Sequence, residues 1–216
     1  MADIKTIKND LEHYQDLLIS EINNFPWGDK NAYAQWLANT YHYAFNSTRI
    51  IALGAGTMPP HLTKISNRFI QHAAEEKGHE KLLENDVKAL GMDIHSVPVS
   101  SVMEMYYRSL YFWVSPAGHP VGLFGWILSL EALAANAGGS VLVEVKKFHS
   151  PKSCSFLNVH SDADPDHLNK ALEAVSFLST DELKIVAQSL KMYSESYIRL
   201  LSEISKGVKT TGRRAA

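Results

Sequence analysis

Between Ala117 and Val143 the chain carries a single Asp, Glu, Lys or Arg residue, Glu131, within "PVGLFGWILSLEALAANAGGSVLV". A helix built from this stretch has no polar face, so it must be surrounded on all sides. A bilayer could do the surrounding, since a span needs roughly 20 apolar residues. The stretch, however, also holds Asn136, two serines and four glycines, and nothing else in the chain resembles a span. The central helix of a bundle is the expected answer, with no membrane partner. Burying an unpaired carboxylate costs several kcal/mol, so Glu131 has to be protonated, paired or bound to a cation. Arg49 and Arg68 are the candidate ion-pair partners.

The remaining pattern is helical too. Leu11, Leu18 and Ile22 begin an apolar stripe at helical spacing, and "FPWGD" breaks it. Further helices are predicted from about Lys30 to the "GAGTMPP" breaker and from about Pro60 to Leu90, where Gly91 is the expected C-cap. Others follow Pro98, run from Pro120 to about Phe148 with a bend at Gly138-Gly139, and cover about Asp164–Leu178. The last begins at Ser179 or Thr180. The expected fold class is all-α, a bundle of about seven helices in one domain over 1–206, with 207–216 a flexible basic tail. Net charge is −2, and no basic stripe argues for nucleic acid. Cys154 is the only cysteine, which excludes an internal disulfide and fits a reducing, cytoplasmic setting. The amphipathic start lacks a signal-peptide apolar region.

Histidines gather where helices alone do not call for them. "FIQHAAEEKGHEKLL" places His72, Glu75, Glu76 and His79 close together on one face, and "NVHSDADPDHL" holds His160, Asp164 and His167. On a helix turning about 100° per residue, Asp164 and His167 fall within about 40° of His160. Pro165 complicates that register, because proline favours the first helical position and disfavours the interior. Glu76-x-x-His79 and Asp164-x-x-His167 share the spacing by which carboxylate-bridged two-metal bundles present an acid and an imidazole together. With Glu131 and His160 these make three carboxylates and three imidazoles, a donor set suited to iron or manganese, and to two ions more than one. His13, His61, His95, His119 and His149 are read as ordinary core or surface residues.

These elements resemble the haem-oxygenase-like di-iron oxidases and oxygenases, whose fold is shared with haem oxygenase and the TenA-type thiaminases. The matching residues are Glu76 and His79 on one core helix, Glu131 on the next, and His160, Asp164 and His167 on a third. The likeness extends over roughly residues 30–175. Some members place the first carboxylate seven residues before the histidine, where this chain has His72. That leaves His72, Glu75 and Glu76 as alternatives, with Glu76 the preferred ligand and His72 a neighbour or extra ligand. The resemblance implies two iron ions (manganese as the substitute), O2 as co-substrate, and oxidation of a small organic molecule such as an amino acid, amine or fatty acid. It also implies a homodimer, which is common on this fold. Tyr41, His42, Tyr43, Tyr107 and Trp126 are the candidates for the substrate pocket, Tyr41 and Tyr43 also for oxidation or hydrogen donation. The alternatives on the same fold are a metal-independent TenA-like enzyme, which would need a reactive Cys154, and a non-catalytic interaction protein.

Overall fold

The computed structural model describes the backbone of residues 3–161 and 165–214, and the side chains of 3–161 and 167–208. All regular structure among the described residues is helical. The α-helices are α1 (Ile4–Asn24), α2 (Lys30–Thr57), α3 (Thr63–Glu75), α4 (His79–Ala89), α5 (Ser101–Trp113), α6 (Leu123–Lys146), α7 (Ser155–Ser161), α8 (Pro165–Val175) and α9 (Thr180–Arg214). Short 3-10 turns open at Pro60, Pro120 and Pro151, where proline's missing N–H costs nothing.

Among the described residues nine α-helices stand where about seven were expected: one expected helix is split in two, and α7 was not expected. The helix expected over 60–90 stops after Glu75 and restarts at His79. Gly78 takes φ +95°, a left-handed conformation that glycine adopts without a Cβ clash. This split falls inside the Glu76-x-x-His79 unit. The other addition is α7, over a stretch read as the loop and turn before the sixth helix, whereas α8 begins at Pro165, as expected from proline's preference for the first helical position. By contrast, α6 runs through Gly138-Gly139 without interruption. There the missing side chain lets another helix in: a Cβ on Gly138 would sit 3.3 Å from Ser161 Cα. The last helix continues to Arg214, past the expected end near 206.

Two sets of helices face each other. On one side α1, α9, α7 and α8 pack around α6, and on the other α3, α4 and α5 pack around α2. Leu123, Leu128 and Ser129 of α6 are fully buried, as are Tyr33, Leu37 and Ile50 of α2. Each large apolar side chain so enclosed contributes roughly 1.5–3 kcal/mol. By length and composition the segment 120–146 is also the one described helix that could cross a membrane. In the fold it is the hub of one helical layer. Helices α2 and α6 meet through side chains, Leu123 against Gly54 and Tyr43 against Trp126, and the space left between them is the feature that matters next.

Candidate metal centre

Glu76 lies at the end of α3, its N–H bonded to the His72 carbonyl, and Gly78 then turns the chain so that His79 starts α4. The break aims both side chains at the same point. Glu76 Oε2 is 3.4 Å from His79 Nδ1, and Glu76 Oε1 is 3.4 Å from His72 Nε2. His72 Nε2 also stands 3.2 Å from Glu131 Oε1 on α6. Among the described residues no arginine pairs with Glu131: Arg68 pairs with Glu75 at 3.1 Å, and Arg49 is exposed. Glu131 instead faces imidazoles, with His167 Nδ1 of α8 at 3.8 Å from its second oxygen.

His160 completes the cluster from α7. Its ring lies 4.7 Å from that of His79 and is stacked on Phe156 at 4.0 Å. Its Nδ1 donates to the Phe156 carbonyl at 2.9 Å. A proton held on Nδ1 leaves the lone pair on Nε2, the arrangement that ligating histidines adopt. Two overlapping groups of donors result, Glu76/His79/His160 and His72/Glu76/Glu131, each with ligand atoms within 4.8 Å of one another. Glu76 belongs to both.

The electrostatics match this sharing. Burial pushes the Glu76 carboxyl up, but His72 and His79 outweigh it and hold the group well below the carboxylate range. Burial likewise works against charge on His72, and Glu131 with Glu76 reverses the balance, raising it to about 9. Glu76 raises His79 against its own partial burial. Burial lowers His160, keeping it neutral and available as a donor. His79 Nδ1 is buried with no hydrogen-bond partner. Such a group costs free energy unless something satisfies it. An orphaned imidazole nitrogen beside a shared carboxylate, in a set of N and O donors, fits a cation of the iron or manganese type.

Of the residues singled out in the sequence, Glu76, His79, Glu131, His160 and His167 converge, and Asp164 lies outside the described residues. His72 is inside the cluster. Glu75 is turned toward Arg68, with His167 Nε2 at 3.8 Å from the same oxygen. The cluster opens onto a cavity of about 120 Å³ between α2 and α6, which Tyr43 and Trp126 line. Tyr41, His42 and Tyr107, expected there, are not part of its wall. Tyr41 packs with Phe45 and His95, and His42 stacks on Tyr107. The reason is the helical wheel. Trp36, Tyr43 and Ser47 share the face of α2 that lines the cavity, and Tyr41 and Phe45 lie roughly opposite at about 100° per residue. Trp36 and Tyr197 were missed as lining. The seven-residue step from Trp36 to Tyr43 was the available signal for Trp36, and nothing local marked Tyr197. Cys154 is fully buried and outside the cavity wall, and burial raises its thiol, so a reactive cysteine is not what this cavity offers.

Residues 34–194 match the family described as iron-containing redox enzymes. The chain belongs to that family. Its fold is the haem-oxygenase-like one: a domain of unknown function with that fold from Shewanella denitrificans superposes with a TM-score of 0.80 at 22% identity, covering 98% of this chain and 96% of the other. A TenA homologue from Pseudomonas syringae pv. tomato superposes with a TM-score of 0.74 at 11% identity, covering 93% and 91%. No curated protein matches the chain.

Proposed function

We propose that this family member is a non-haem di-iron oxidase or oxygenase that uses O2 to oxidise a small organic substrate held between α2 and α6. The observation that carries this reading is the pair of donor groups sharing Glu76 beside an apolar cavity. His79 and His160 would hold one ion with Glu76. Glu131 and His167, with His72 beside them, would hold the other, again with Glu76; Asp164, which the resemblance adds to this set, lies outside the described residues. When bound, ferrous ions supply the electrons and the open coordination positions needed to activate O2; manganese is the substitute the same donors accept.

The chain's own residues set the conditions. His160 is locked in one tautomer by the Phe156 carbonyl, so it offers a nitrogen without reorganising. The cavity wall, from Ile51 and Ile127 to Ala137 and Val141, is apolar, and no lysine or arginine lines it. A substrate with an apolar body and its polar group at the metal end suits such a wall, because a buried polar group without a partner is costly. Tyr43 is kept as a neutral phenol, since burial raises it well above its ordinary value. It is therefore a hydrogen donor at the cavity wall rather than a phenolate. Anaerobic titration with ferrous iron should give two ions per chain, followed by O2 uptake when air is admitted. Binding of no ion, or of one ion unaffected by Glu76→Gln, would sink the proposal.

A further inference from the structure

Among the described residues Asp86 is the one carboxylate that is fully buried with no cationic side chain hydrogen-bonded to it. It stands on α4, two turns beyond His79. Its oxygens accept from Ser155 N–H at 2.8 Å, Phe156 N–H at 2.9 Å and Ser155 Oγ at 2.5 Å. Those N–H groups open α7, the helix that carries His160. The first amides of a helix lack intrahelical acceptors and are normally capped by the residue just before it. Here that residue is Cys154, whose carbonyl already accepts from Asn158 N–H at 2.9 Å but whose thiol is turned to the Ser150 carbonyl. A serine or aspartate at 154 would cap α7 locally. The chain instead reaches across 69 positions for a cap, and burial works against the charge it places there.

We infer that Asp86 is a positioning residue for the candidate metal centre, registering α7 against α4 so that His160 faces His79. The coupling is short and continuous. Asp86 holds the Phe156 N–H, the Phe156 carbonyl holds His160 Nδ1, and the Phe156 ring stacks on the His160 imidazole. At the other end α4 rigidly joins Asp86 to His79. The two imidazoles of the Glu76/His79/His160 group are thereby fixed relative to each other, while His72 and Glu131 stand on helices that Asp86 does not touch. The role is specific to one of the two donor groups. This inference rests on the two-ion reading for its metal readout, and it has a second readout that does not.

The test compares wild type with Asp86→Asn, Ser155→Ala and, as a destabilised control far from the centre, Ile7→Ala. The probe is cobalt(II), titrated anaerobically and followed by its visible spectrum. Asp86→Asn turns an amide NH2 toward donors that need an acceptor, and it should weaken one of two ions by about 10–100-fold, the usual cost of losing an outer partner of a ligand. The other ion should bind as in wild type. Ser155→Ala, which removes only the hydroxyl, should show a smaller loss at the same ion, and Ile7→Ala no loss at either. In the metal-free proteins, the NMR cross-relaxation between the rings of His79 and His160 should fade in Asp86→Asn and persist in Ile7→Ala. Equal weakening of both ions, no weakening, or an unchanged ring-to-ring signal in folded Asp86→Asn would overturn the role of Asp86. If wild type fails to take up two ions, the di-iron reading falls instead, and the ring-to-ring signal alone decides for or against Asp86.

Discussion

Asp86 accepts two backbone N–H groups and a hydroxyl at 2.5–2.9 Å, whereas Glu131, also set among apolar helices, meets only imidazole nitrogens at 3.2 and 3.8 Å. Glu76 resembles Glu131, with both imidazoles at 3.4 Å. The distinction is between a closed carboxylate and an open one. Asp86 has its lone pairs committed to donors that cannot leave, so it belongs to the scaffold. Glu76 and Glu131 are loosely satisfied by groups that are themselves candidate ligands, and His79 Nδ1, though 3.4 Å from Glu76, makes no hydrogen bond. A folded chain tolerates such under-satisfaction where something else completes the shell.

The contrast is most exposed to failure at Glu76. Because it belongs to both donor groups, Glu76→Gln should take ion uptake from two per chain to none at micromolar manganese, read by the loss of free-ion signal in electron paramagnetic resonance. Retention of a tightly bound ion would mean that the groups do not share this carboxylate. Next in size comes the closed acid. Asp86→Ala leaves the Ser155 and Phe156 N–H groups without their acceptor, while the Ser155 hydroxyl keeps the Leu82 carbonyl at 3.3 Å, at a cost of about 3 kcal/mol to the metal-free fold. A shift in urea midpoint worth less than about 1 kcal/mol would show that water replaces the carboxylate without penalty.

Much of this was legible before any fold was seen, and the limits have physical causes. The lone Glu131 in an apolar helix announced both the core helix and the need for partners; the Asp-x-x-His unit contained one of them, His167, but the nearer one, His72, was read only as a neighbour or extra ligand. Counting helices failed at Gly78, because a periodic pattern continues across a break when the side chains on either side still face inward, and at α7, because its 7 residues are too few to show a period. Asp86 follows His79 by seven residues and so shares its face, yet sequence spacing could not say that its partners lie on α7. The pocket assignment failed on α2 because aromatic content was weighed ahead of angular position, which separates Tyr41 from Tyr43 by about 200°.

A second closed acid lets the comparison be made through pH. Glu182 accepts from Ser179 N–H and Oγ, both at 2.7 Å, while Ser179 Oγ accepts from Glu182 N–H, a reciprocal cap at the start of α9. His61 Nε2 lies 3.1 Å away. Burial pushes Glu182 up, but Ser179 and His61 outweigh it and leave the group below its ordinary value of 4.5. A depressed folded value means that the stabilisation is fully present above the unfolded pKa and disappears as pH falls through the folded one. Wild type should therefore exceed Glu182→Gln by about 1 kcal/mol at neutral pH, with the gap closing below about pH 4.5. A gap that widens on acidification would reverse the sign and refute the cap as its source.

The smallest effect on stability is expected where the sequence is most conspicuous. Glu131→Gln keeps the shape and an acceptor for His72, and it removes one of two negative charges that converge on a single imidazole in the absence of metal. Losing like-charge repulsion offsets losing attraction to His72, so the metal-free fold should shift by less than about 1 kcal/mol in either direction. The same substitution should remove one of the two manganese ions, since Glu131 belongs only to the group with His72. Urea midpoint and ion count measured on one preparation separate the two consequences. A large loss of metal-free stability would place Glu131 with Asp86 among the closed acids, and the distinction between scaffold and centre would then have to be drawn elsewhere.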